Sequence, residues 1–90
     1  MNLVVIGTGY VGLVTGVGFA SLGNTVSFVD LDENKISKLR NKQVPFYEPG
    51  LEEHFQNNIT FSRMFFTSSY EEIDWESTDV AFICVQTPNN

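Results

Sequence analysis

The apolar positions along this chain change their period several times, and each change marks a change of element. Residues 2–6, NLVVI, form a continuous, mostly β-branched run stopped by Gly7, which predicts a short buried strand. Residues 10–22, YVGLVTGVGFASL, set Val11, Val14, Gly18 and Leu22 on one face at helical spacing, and Gly23-Asn24 supplies a stop signal. Residues 25–29, TVSFV, lie between turn signals and predict a second strand. Residues 32–41, DENKISKLRN, open on an aspartate able to cap and set Ile36 and Leu39 three apart, as in a short amphipathic helix.

The rhythm then breaks. KQVPFYEPGLEEHFQNN holds two prolines and a glycine before a helix-like GLEEHFQ, with Pro49 near a first turn, where a missing N–H does no harm. Residues 59–67, ITFSRMFFT, predict a strand interrupted at Ser62-Arg63. SSYEEID pairs Ser69 with Glu72 three positions later, a capping-box spacing that predicts a short helix. Residues 79–85, DVAFICV, are the most apolar run and predict a strand buried on both faces, as in parallel sheets. Met64, Phe65 and Phe66 cannot share one face of a strand, so both faces of the sheet are expected to be covered. Strands alternating with helices predict an α/β fold with a parallel sheet and right-handed crossovers. Ninety residues allow one domain at most.

The junction of first strand and first helix carries candidate chemistry. In VVIGTGYVG, Gly7, Gly9 and Gly12 stand at the spacing GxGxxG. Gly7 permits a sharp turn, Gly9 lets a pyrophosphate approach backbone that has no Cβ, and Gly12 lets the helix pack near the strand. The helix start offers unpaired N–H groups and about half a positive charge to an anion. Asp30 ends the second strand, at about the 20-residue separation from the motif where a carboxylate accepts from the hydroxyls of an adenosine ribose. Asp32 is the rival acid; Asp30 is preferred because it directly follows the apolar run. A 2′-phosphate would meet Asp30 as a like charge, and Leu31 follows in place of a clamping arginine, so NAD is expected over NADP. Together these features predict a partial Rossmann fold, about four parallel strands in the order 3-2-1-4 flanked by helices. Gly16 and Gly18 each cost about 1 kcal/mol relative to alanine within a helix, so close packing against the sheet is expected at both. In that strand order DVAFICV is an edge, and a long apolar edge invites pairing between chains, so self-association is expected.

Composition narrows the partners. Eleven acidic against five basic residues give a net charge of −6. A non-specific nucleic-acid binder needs a basic stripe to displace counterions; here Arg40 and Lys42 merely sit near a helix end. An anion bound by this chain is therefore held mainly by backbone N–H groups. No apolar run reaches the ~18 residues of a membrane span, the N-terminus has neither basic lead-in nor cleavage pattern, and the single Cys84 fits a reducing compartment. A cytoplasmic location is expected.

GTGYVGLVTG, VDLDENKI, VPFYEPGLEE and FICVQTP together resemble the N-terminal segment of the nucleotide-sugar dehydrogenases, the UDP-glucose/GDP-mannose dehydrogenase family. The resemblance covers residues 1–90, weakest from about 57 to 78, and YEPGL after the second helix is peculiar to this group. It implies an oxidoreductase of nucleotide-sugar metabolism and polysaccharide biosynthesis that converts a sugar primary alcohol to a carboxylate in two NAD-dependent steps. Tyr47 before EPGL tilts the sugar nucleotide toward UDP-glucose, rather than GDP-mannose or UDP-N-acetylmannosamine. The resemblance implies that Gly7, Gly9, Tyr10, Val11 and Gly12 line the pyrophosphate, that Asp30 and Lys35 reach the adenosine side, and that Gln86 and Thr87 stand beside the cofactor. The family's nucleophilic cysteine and substrate-binding half have no counterpart in these residues. The chain is thus expected to be the N-terminal part of a dinucleotide-binding domain, from a homodimeric parent, able to bind the adenine half of NAD and not to catalyse.

Other residues invite chemistry and are read more plainly. Cys84 is expected within the apolar fourth strand, inert. His54 has no cysteine or second histidine nearby in sequence, so an exposed helix position and no metal site are expected. Glu52 and Glu53 read as a solvated helix face, and Glu48 as a fastener of its own loop through backbone N–H groups. Trp75 and Phe55, Phe61, Phe65 and Phe66 read as core or subunit contact. Two other classes share the opening motif. A nucleotide-sensing module that gates an ion transporter would replace VPFYEPGLEEHF by a short loop; a flavin-binding oxidoreductase finds no support after residue 40.

Overall fold

The structure, a computed structural model, describes residues 1–44, 48–60 and 62–85, with Thr60 described by its backbone alone. The order is β1 (Asn2–Ile6), α1 (Tyr10–Ser21), β2 (Thr25–Val29), α2 (Glu33–Arg40), α3 (Leu51–Thr60), β3 (Met64–Thr67), a 3-10 turn (Tyr70–Glu72) and β4 (Val80–Ile83). The strands pair in parallel in the order β3-β2-β1-β4, as the sequence predicts. Register aligns Val5 with Phe28 and Phe28 with Phe66. These side chains and their neighbours Leu3, Val26 and Met64 form one face, against which Leu13 and Val17 of α1, Ile36 and Leu39 of α2, and Leu51 and Phe55 of α3 pack. Phe66 stacks on Phe28 at 4.9 Å between ring centroids and tilts against Phe55 at 5.7 Å. Each such buried side chain contributes about 1.5–3 kcal/mol.

The buried face of α1 differs from the one its spacing suggested. Gly12, Leu13, Gly16, Val17 and Ala20 are buried, while Val11 and Leu22 are 63% and 79% exposed. The helix is apolar almost all round, so periodicity selects no face; the distance of approach does. A β-carbon on Gly16 would fall inside the Phe28 ring, whereas one on Gly18 would meet nothing within 4 Å among the described residues. The close packing expected at Gly18 is absent. At its end, Gly23 takes φ +97° and donates to the Ala20 carbonyl, and Asn24 closes on Phe19 through both its N–H and its side-chain amide.

Asp32 caps α2 by accepting from the N–H groups of Asn34 and Lys35 at 3.0 and 3.3 Å. Arg40 then reaches the sheet edge. The carbonyls of Arg63 and Thr67 accept from the N–H groups of Val26 and Asp30, so that of Phe66 faces outward, and Arg40 Nε donates to it at 2.9 Å. One outward acceptor of an edge strand is thereby occupied, which blunts pairing there.

The second half departs from expectation in three places. Ile59, Thr60, Ser62 and Arg63 are not strand: α3 continues through Thr60, because Phe55 and Ile59 both turn to the core. It ends where Ser62 takes φ +55° and Ser62 and Arg63 donate to the carbonyls of Ile59 and Asn58. The helix expected at SSYEEID is a single 3-10 turn; Ser69 Oγ accepts from Glu71 at 3.3 Å, and the box with Glu72 does not form. The fourth strand is shorter than 79–85 and is not buried on both faces: Val80 and Ile83 are 38% and 75% exposed. All three helices lie over one face of the sheet. On the other, Val4, Val29 and Ile6 form a small cluster with Ile73, and Phe65 stays half exposed. Among the described residues the second face is thus covered only in part, where full cover of both was expected.

The two helical glycines separate cleanly. Gly16→Ala is expected to destabilise by about 1–3 kcal/mol, because Phe28 is fully buried and stacked and cannot swing aside. Gly18→Ala is expected to stabilise by about 0.5–1 kcal/mol. Urea midpoints of both variants check this.

Candidate functional site

Three parallel strands end at one level, since Ile6 is in register with Val29 on one side and Ile83 on the other. Gly7 N–H donates to the Val29 carbonyl at 2.8 Å and Cys84 N–H to the Ile6 carbonyl at 2.7 Å. Beyond that level the chain segments diverge and leave a hollow walled by residues 6–11 and by Val29, Asp30, Leu31, Lys35, Tyr70, Cys84 and Val85. Ligands of open parallel sheets bind at such a place.

The glycines shape it. Gly7 takes φ +102°, and a β-carbon there would press on the Cys84 carbonyl at 2.9 Å. One on Gly12 would collide with the Gly7 carbonyl. One on Gly9 would meet no neighbouring atom of the described residues within 4 Å, which leaves room there for a ligand. Gly9 is also the N-cap of α1 and has no side chain with which to satisfy the first N–H groups. A pyrophosphate fits this cradle, as it needs bare backbone donors and room.

Asp30 lies beside it. Its Oδ2 accepts from the Thr8 N–H at 2.9 Å and the Thr8 hydroxyl at 2.7 Å, and its Oδ1 accepts from the Asp32 N–H at 2.9 Å. Partial burial works against the charge. The N–H of Asp32, the hydroxyl and N–H of Thr8 and the charge of Lys35 outweigh it, and the carboxyl titrates below the ordinary aspartate value. Asp32, the rival acid, is committed to its cap. Lys35 is exposed and lines the hollow.

The remaining candidates sort as follows. Tyr10 lines the hollow, and its phenol donates to Glu48 Oε2 at 2.9 Å. This bond to a carboxylate raises the Tyr10 pKa above the ordinary tyrosine value. Glu48 therefore fastens a side chain, and among the described residues its carboxylate accepts from none of the backbone N–H groups expected of it. Cys84 lies just past β4, half-buried against the glycine turn, and not inside the strand. His54 is exposed on α3 with Nδ1 3.3 Å from Ser21 Oγ. Trp75 is no core residue: it is 44% exposed, stacks on Tyr70 at 6.4 Å, and donates through Nε1 to the Tyr70 carbonyl. Among the described residues no three His, Cys, Asp or Glu side chains gather to hold a metal ion. None of their helices is long and apolar enough to cross a membrane. Gln86, Thr87, Tyr47 and Phe61 lie outside the described residues. Sequence reasoning missed Thr8 and Tyr70. Thr8 stands in plain view between two motif glycines, but its partner is 22 residues away.

Residues 1–90 match the NAD binding domain of the UDP-glucose/GDP-mannose dehydrogenase family. The chain belongs to that family. Over 88 residues it is 47% identical to the UDP-glucose 6-dehydrogenase YwqF of Bacillus subtilis (strain 168), a match covering 98% of this chain and 20% of that protein. Its fold superposes on a GDP-mannose dehydrogenase of Pseudomonas aeruginosa, solved as a ternary complex, with TM-score 0.90 and 33% identity over 100% of this chain and 20% of that one. The UDP-N-acetyl-mannosamine dehydrogenase Cap5O of Staphylococcus aureus superposes with TM-score 0.87 and 37% identity, over 100% of this chain and 21% of that one. The chain thus spans about a fifth of the length of these relatives. Its cofactor is NAD, and the transporter-gating and flavin readings are set aside.

The depressed carboxyl of Asp30 gives a pH signature. A group whose pKa is lower folded than unfolded stabilises fully above the unfolded value, and that stability is lost as pH falls through the folded value. Asp30→Asn is expected to lower the melting temperature at pH 7, and the gap to the parent is expected to close below about pH 4. Thermal unfolding from pH 7 to pH 3 measures it.

Proposed function

We propose that these residues are the N-terminal part of the dinucleotide-binding domain of a UDP-glucose 6-dehydrogenase, oxidising the sugar C6 alcohol to give UDP-glucuronate. The carrying observation is the open backbone at Gly9, at the start of α1, beside the Asp30 carboxylate. The short span relative to the curated relatives supports a longer parent, and in this reading the nucleophilic cysteine and the sugar site belong to other parts of it.

In this reading the N–H groups from Gly9 onward hold the pyrophosphate, with Tyr10 and Val11 at its side. A carboxylate offers about four acceptor positions, and Thr8 and Asp32 take three of those on Asp30. One ribose hydroxyl bonds directly and a second displaces the Thr8 hydroxyl. Leu31 and Tyr70 wall the adenine, Lys35 faces the adenosine side, and Gln86 and Thr87 stand toward the rest of the cofactor. NAD, when bound, supplies the hydride acceptor. The parent is a cytoplasmic homodimer acting on a nucleotide sugar, with no nucleic acid or membrane partner. GDP-mannose or UDP-N-acetylmannosamine is the alternative substrate, supported by the superpositions on dehydrogenases of those sugars.

Trp75 is the single tryptophan and stacks on Tyr70 at the hollow, so its fluorescence reports binding. NAD is expected to quench it saturably, and NADP to bind more weakly. Asp30→Ala is expected to cost about 1.5–3 kcal/mol of NAD affinity; unchanged affinity would show that another acid meets the ribose. The unguarded edge of β4, with Val80 and Ile83 exposed, is expected to join copies of this chain. Sedimentation at tens of micromolar should show association that Ile83→Lys reduces; a monodisperse monomer would count against it.

A further inference from the structure

Gly9 is tethered on both sides. Before it, Thr8 donates twice to Asp30, at 2.9 and 2.7 Å. After it, the Tyr10 phenol donates to Glu48 at 2.9 Å, across 38 residues of chain. Glu48 belongs to the YEPGL segment between α2 and α3, to which the cofactor site gives no other task. Its carbonyl accepts from the Leu51 N–H at 3.0 Å, which fixes it to the first turn of α3. That helix is itself fixed: Phe55 is fully buried, and Asn58, 2% exposed, donates to Ser21 Oγ on α1 at 2.8 Å. The anchor under the Tyr10 ring is therefore a packed helix.

We propose that Glu48 is a positioning residue for the dinucleotide: by fixing Tyr10 it holds the first turn of α1, and the bare N–H groups beside Gly9, in the orientation a pyrophosphate meets. The inference rests on the reading of the hollow as the NAD site. A turn with glycines at 7, 9 and 12 has much conformational freedom, and no side chain caps the helix that follows it. Ordering such a turn on binding costs affinity, and tethers at both ends remove most of that cost beforehand. The arrangement also answers an electrostatic problem. A carboxylate facing the hollow would repel a pyrophosphate. Glu48 instead lines the groove between α1 and α3, with Val14, Gly18 and Leu51, while Tyr10 lines the hollow. The phenol holds the charge on its far side.

Calorimetric titration of the chain with ADP-ribose and with AMP tests this. AMP carries the adenosine and one phosphate but no pyrophosphate. Tyr10→Phe and Glu48→Ala are each expected to weaken ADP-ribose by about 3- to 10-fold and AMP by less. Glu48→Gln keeps an acceptor oxygen and is expected to bind within about twofold of the parent. The double variant Tyr10→Phe/Glu48→Ala is expected to be no weaker than either single one, as for two ends of one bond. ADP-ribose affinity unchanged in the variants overturns the proposal alone. So does an equal loss for both ligands that follows the loss of melting temperature, which marks a merely structural bond. A parent that binds neither ligand overturns the dinucleotide reading itself.

Discussion

Helix α1 begins so close to the end of β1 that a β-carbon at position 12 would collide with the Gly7 carbonyl, and one at position 16 would enter the Phe28 ring. The rest of the molecule depends on that approach. It presses Leu13, Val17 and Ala20 into the core and leaves the open end of the helix at the tips of three parallel strands. A glycine inside a helix costs about 1 kcal/mol relative to alanine. At Gly16 the gain in packing offsets that cost; at Gly18 nothing among the described residues does.

The same approach resolves an electrostatic difficulty. In the proposed site a chain of net charge −6 attracts a dianion. Backbone donors are offered for it, while the two acids nearest the glycine turn are engaged elsewhere. Asp30 accepts from Thr8 and Asp32, and Glu48 from Tyr10. Their negative charge is held by local donors at fixed positions, and the N–H groups at the helix start remain the positive feature of the hollow.

The sheet is finished on one side only. All three helices cover one face, and on the other a small cluster about Ile73 shields Val4 and Val29 while Phe65 and Ile83 stay exposed. The edges differ as well: Arg40 occupies an outward carbonyl of β3, whereas β4 presents Val80 and Ile83.

Much of this was legible in the sequence where the signal is local. A β-branched run ending in Gly7, the glycine spacing and an acid after the second strand are properties of near neighbours, and they determined the strand order, the turn and the cofactor class. Where the signal depends on distant partners the reading failed. ITFSRMFFT reads as a strand, yet its first part is helix because Ile59 turns toward a core built by other segments. DVAFICV reads as buried, yet nothing described lies on its outer edge. Only the tertiary structure decided which face of an all-apolar helix is buried, that Thr8 meets Asp30, and that Glu48 meets Tyr10. Each of these is a contact between residues 12 to 38 apart, and no period or spacing along the chain encodes a meeting that the folded backbone alone brings about.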